Sequence, residues 1–213
     1  MNTYDVTNYL AIAGTVTRPF ELEYTSHNGK NYWSTIVQIR RLSEQSDFIP
    51  LSVPEELIDT NRNYIGKYVE AFGSLRAFGR YDESGKHHVS IKACPDELEI
   101  CDTEEEHCNY VMIKGTLHKP AIYRITPAGR EIADVLIKVT SPKRHDYINC
   151  IAWGRNALHI SEMPVGTQLK VTGRLQSREY RKKLSDDEFE IRTAYELSIS
   201  KFDEEKDNEE SDS

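Results

Sequence analysis

The chain has little of what membranes, secretion and most catalysis require. No apolar run in its 213 residues approaches the roughly 20 that cross a bilayer. The opening residues, MNTYDVTNYL, have no basic stretch ahead of an apolar one, so a secretory leader is not expected. The four cysteines form no tight framework, which suits a reducing cytoplasm. Cys94, Cys101, His107 and Cys108 approach a zinc set. However, the six residues between the first two exceed the usual spacing of about two to four. Asp186-Asp187-Glu188 is a run of adjacent acids whose side chains alternate in direction, unlike a two-metal clamp. No phosphate loop, dinucleotide fingerprint or nucleophile elbow occurs. Catalysis, a metal and a cofactor are therefore not expected.

What is present is an uneven charge. The net value of −8 argues at first against a polyanionic partner. Residues 1–95 carry 10 bases and 11 acids, and residues 96–108 carry seven acids and no base. Residues 109–202 carry 16 bases and 10 acids, and residues 203–213 seven acids and one base. The acidity sits in a connector and a tail, and the second half is basic.

The two halves repeat. Asn8-Tyr9-Leu10 through Gly14-Thr15 aligns with Asn109-Tyr110-Val111 through Gly115-Thr116. Asp47-Phe48-Ile49 aligns with Asp146-Tyr147-Ile148, and Gly66 through Leu75 with Gly166 through Leu175. Offsets of 99 to 101 in constant order imply two copies of one small domain. The expected organisation is a divergent domain 1 over 1–100, an acidic connector 101–108, a domain 2 over 109–202 and a disordered acidic tail 203–213.

Val-, Ile-, Thr- and Tyr-rich runs predict strands at 110–117, 131–139, 146–153, 168–180 and 189–200, with a short helix at 155–162. Five strands with a helix between the third and fourth predict an all-β chain with short helices. Its architecture is two tandem OB-folds, each a five-stranded Greek-key barrel.

Alternation along the strands separates core from surface. Ile148, Cys150 and Ala152 form one face of 147–153, opposite Tyr147, Asn149, Ile151 and Trp153. Val171, Gly173 and Leu175 oppose Lys170, Thr172, Arg174, Gln176, Arg178 and Tyr180. Bases and aromatics thus share the non-core faces, and that pairing suits single strands. Rings stack on nucleobases and cations meet phosphates. Lys143, Arg144, Arg181, Lys182 and Lys183 add loop charge. The first copy keeps Phe48 but has Val53 near the place of Trp153. Its strand from 68 turns Tyr68, Phe72, Arg76 and Phe78 outward, a face suited to stacking or to a partner subunit.

Gly115-Thr116-Leu117, Tyr123 through Arg130, Asp146 through Arg155 and Gly173 through Tyr180 resemble the bacterial single-stranded DNA-binding protein family. The likeness covers essentially all of 109–202 and is weaker over 6–100. It implies base stacking by Tyr147, Trp153 and Tyr180; Arg155 joins the expected DNA contacts, and the expected role is in replication, recombination or repair. It also implies four barrels per functional unit, hence a homodimer of this two-barrel chain. The tail ends Glu209-Glu210-Ser211-Asp212-Ser213, without the family's terminal Phe motif for partner enzymes. Alternative readings are a primosome-type or RNA-binding OB protein, or an OB-fold adaptor between proteins.

Overall fold

The structure, a computed structural model, describes residues 6–81, 85, 87–101, 108–142, 144–183 and 188–205. The first half forms β1 (Asn8–Val16), β2 (Glu21–Thr25), β3 (Asn31–Arg40), β4 (Ser46–Pro54), β5 (Tyr68–Tyr81) and β6 (His87–Cys101). The second forms β7 (Asn109–Leu117), β8 (Ile122–Ile125), β9 (Glu131–Ser141), β10 (Arg144–Trp153), β11 (Gln168–Lys183) and β12 (Phe189–Glu204). Helix α1 (Arg155–Ser161) falls where expected, and a 3-10 turn at Glu55–Leu57 replaces it in the first half.

Each half closes on itself. β1 pairs with both β5 and β3, β4 runs parallel to β6, and β7, β11, β9, β10 and β12 repeat the pattern. Branched side chains alternate inward, as in β9, where Val135, Ile137 and Val139 are buried. Closure requires β1 to cross β3 closely at Gly14. A Cβ there would lie 2.3 Å from the Gln38 carbonyl oxygen, and one at Gly115 would lie 2.5 Å from that of Lys138. Five strands closed in this order, with the crossover between the third and fourth, make each half the expected OB-fold barrel.

The short strands β2 and β8 lie outside the five-strand reading. Each is largely exposed and extends its barrel as an arm on β3 or β9. β12 also reaches Glu204, so Asp203 and Glu204, assigned to the tail, pair with Lys170 and Leu169. The rest of that tail from 206, and residues 102–107 of the connector, lie outside the described residues.

The barrels join through β1 and β7, antiparallel, with Leu10 opposite Val111. Strand order is consequently palindromic, β2-β3-β4-β6-β5-β1 followed by β7-β11-β12-β10-β9-β8. Tyr9 and Tyr110, equivalent in the repeat, meet across this axis with ring centroids 6.2 Å apart. The shared Asn before each tyrosine has a local purpose. Asn8 exchanges two hydrogen bonds with the Leu75 backbone, and Asn109 does the same with Leu175.

Candidate nucleic-acid interface

Three of the residues expected to contact DNA, Arg76, Arg144 and Arg174, lie at the joint between the barrels. Asp47, fully buried, accepts Arg41 Nε at 2.6 Å from its own barrel. From the other barrel it accepts Arg174 Nη1 at 2.9 Å and the Ser177 backbone N–H at 2.9 Å. Asp146, 1% exposed, repeats the arrangement with Arg144 Nη2 at 2.7 Å, Arg76 Nη1 at 3.1 Å and the Ala77 N–H at 2.9 Å. Arg174 and Arg76, expected as phosphate ligands, thus each hold a buried carboxylate of the other barrel. A carboxylate taken out of water is stable only when paired and hydrogen-bonded, and two guanidiniums plus an amide meet that need. Burial and the Arg41 charge lower the Arg174 pKa against the pull of Asp47, while the Asp47 bond raises that of Arg41. Arg144 is shared as well: its Nη2 also reaches the Ala77 carbonyl at 2.9 Å, and its guanidinium lies 5.9 Å from the Phe78 ring centre.

The second barrel keeps Tyr147, Trp153 and Tyr180 off the core, while Tyr123, Tyr195 and Phe202 pack against it. Tyr147 is half-buried, opposite Lys138 on β9, with the His118 ring 4.7 Å away. Trp153, also half-buried, anchors its indole by donating Nε1–H to Ser198 Oγ at 3.0 Å. Tyr180 is 38% exposed, with the Arg178 guanidinium 5.8 Å from its ring centre. Arg181, Lys182 and Lys183 continue β11 beyond it, and Arg155 is exposed at the start of α1. Lys170 lies at the far end of β11 from Tyr180, between Lys114 and Asp203. Lys143 lies outside the described residues. Gln176 and Ile151, on faces read as outward, are buried at 5% and 3%.

The first barrel departs from expectation in two places. Tyr68 is buried at 6%, so the supposed apolar outer face breaks up. Phe78 instead lies 6.4 Å from Tyr24, which stacks on Tyr32 at 4.8 Å, and Lys92 Nζ lies 5.5 Å from the Phe78 centre. Nor is the indole missing. Cross-strand pairs place Trp33 opposite Val53 in this barrel and Ile132 opposite Trp153 in the other. The tryptophan has changed strands within an equivalent pair. Trp33 donates its Nε1–H to Glu55 Oε2 at 2.9 Å, and with Asn31 it holds that carboxyl below its ordinary range. Phe48 stays 45% exposed, its backbone N–H bound to Ser177 Oγ across the joint.

Between the β5–β6 and β11–β12 hairpins runs a groove of about 1030 Å³, lined from both barrels. It gathers Tyr24 and Phe78 with Tyr180 and Tyr195, and brings Arg18 and Lys119 to its walls. Tyr147, Trp153 and Phe48 do not line it. Arg18, Lys119, Tyr24 and Tyr195 were not singled out from sequence, although Arg18-Pro19 and Lys119-Pro120 recur at the repeat offset.

Comparison with known proteins follows the same division. Residues 108–203 match the model of the Single-strand binding protein family. Single-stranded DNA-binding protein 1 of Staphylococcus aureus (strain COL) is 34% identical over 80 residues, covering 34% of this chain and 48% of that protein. The chain thus spans about half the length of the curated relatives it matches. Among solved structures, a deletion mutant of the single-stranded DNA binding protein from Thermus aquaticus aligns over 97% of this chain and 98% of its own. Its TM-score is 0.74 at 16% identity. The wild-type Thermus aquaticus protein aligns over 93% of both chains, with a TM-score of 0.71 at 17% identity. The fold of both barrels is that of these proteins, and the second barrel is the part that matches the single-strand binding protein family.

Proposed function

We propose that this protein binds and coats single-stranded DNA without chemical turnover, in replication, recombination or repair. The observation that carries the reading is the outer surface of the second barrel. There Tyr147, Trp153 and Tyr180 stand clear of a complete core, with Arg178, Arg181, Lys182 and Lys183 continuing the same edge. The match of residues 108–203 to the single-strand binding protein family supports it. Stacked rings hold any base, cations hold the backbone, and neither changes a covalent bond. A cytoplasmic, nucleoid-associated setting follows from that role. We further infer a homodimer, which would bring four barrels together. Titration with labelled oligo-dT, matched RNA and duplex tests the reading. Salt-sensitive binding of oligo-dT with little binding of duplex is expected. Equal affinity for RNA would favour an RNA-binding role, and no binding of either polymer would favour a protein adaptor.

A further inference from the structure

The groove between the hairpins carries a charge imbalance that its composition hides. On its walls Lys92 pairs with Glu23 and Arg192 with Glu190, while Arg178 and Arg124, beside the lining, pair with the wall acids Glu196 and Asp134. All four wall acids are thereby engaged. Arg18 and Lys119 have no ion-pair partner among the described residues, and both are exposed. They occupy equivalent places in the repeat, one residue beyond matched backbone bonds that fix their loops. The Thr17 N–H reaches the Ile36 carbonyl and the His118 N–H the Leu136 carbonyl, each at 2.9 Å. Each is followed by a proline, which narrows the backbone further. Arg18 belongs to the first barrel, yet its charge acts on the hydroxyl of Tyr195 in the second, so it stands at the boundary.

We propose that a bound strand passes from one barrel to the other through this groove, with Arg18 and Lys119 as its two phosphate grips. This rests on the proposed function and extends it to a path. Tyr24 and Phe78 on one wall and Tyr180 and Tyr195 on the other offer rings to bases at each end of the passage. Tyr24 is braced for this by its parallel stack on Tyr32, 7° from coplanar. The engaged ion pairs leave the rest of the wall neutral, so the two free cations select a polyanion.

The test uses the full chain, with Arg18→Ala, Lys119→Ala and the double variant. Labelled oligo-dT of about 10 and about 30 nucleotides brackets occupancy of one barrel and of both, at about 4–16 nucleotides each. Log affinity is followed against log salt. For the longer strand the slope becomes shallower by about 0.7 for each grip lost and about 1.4 for both. The shorter strand changes less, Arg18→Lys keeps the wild-type slope, and the melting temperature holds. Wild-type slopes in the double variant overturn the path and leave the proposed function standing. An equal drop with both strand lengths also overturns the path, since the grips then serve a single barrel. Failure of the unaltered chain to bind any single strand removes both readings.

Discussion

Arg174 of the second barrel sets its Nη1 2.9 Å from Oδ2 of Asp47 in the first, and Arg76 returns the contact to Asp146 at 3.1 Å. The two arginines are not equivalent in the repeat. Arg174 follows the bulge glycine Gly173 directly, whereas Arg76 stands three residues after Gly73. The two copies reach one electrostatic solution from different positions, so the carboxylates are the fixed part of the joint.

Removing the Asp47 charge should therefore loosen the joint. Asp47→Asn leaves Arg41 and Arg174 facing an amide. Breaking a buried pair costs about 3–5 kcal/mol, and the partly exposed guanidiniums reduce this to about 2 kcal/mol. Urea unfolding checks it. Arg174→Gln should destabilise similarly and leave the salt slope of DNA binding unchanged, whereas Arg181→Ala makes it shallower. An Arg174→Gln chain of full stability and weakened binding would return Arg174 to the DNA.

The two tryptophans separate the barrels optically. In a Trp33→Phe chain, Trp153 alone reports, and saturating oligo-dT should quench it. Tyr147→Ala, Trp153→Ala and Tyr180→Ala should each weaken binding by about 1–3 kcal/mol while keeping a cooperative melt. Unchanged Trp153 emission in a complex detected by another method would place the indole outside the path.

Excision exposes an edge. Without the first barrel, β7 loses the partner that β1 provides, and an unpaired edge strand recruits another chain. A fragment spanning 109–205 should pair with itself through β7. Light scattering should give twice the fragment mass at micromolar concentration, and a monomer would show that the freed β7 edge does not pair with itself.

Burial lifts the Cys94 thiol from 9.0 to about 12 and pushes Cys150 up as well. Both should resist thiol reagents at pH 8 in the folded chain and react in denaturant. The raised value means that the folded state holds its proton longer than the unfolded state. The stability involved is complete below about pH 9 and is lost as pH climbs toward 12. Urea midpoints between pH 8 and 11 should fall less for Cys94→Ala than for the unaltered chain. Parallel declines would show that Cys94 takes no part.

The repeat and the barrels were readable because alternation and turn residues act over a few positions. Ile148, Cys150 and Ala152 declared one face as core, and the structure buries all three. Alternation does not say what the other face meets. Arg174 reads as a solvated cation until its partner, 127 residues away, is known. Trp33 was missed because its match lies across the sheet, at Val53 rather than at Ile132, and no linear offset relates the two indoles. Ile122–Ile125 is short and mostly exposed, so it has no buried face to announce it. The groove depends on two hairpins from separate barrels, and each contributes only part of its lining.

Both sides of the central β1–β7 ladder come from one chain, so the palindrome is covalently linked. Two barrels on one chain meet at an effective concentration set by their connector, so dilution does not separate them. Identical subunits related by a twofold axis must carry every substitution twice. Here Trp33 and Trp153, or Arg76 and Arg174, can differ, and they do. The assembly consequently has two chemically distinct ends, and a polymer lying along it in one direction meets a different order of groups from one lying in the other.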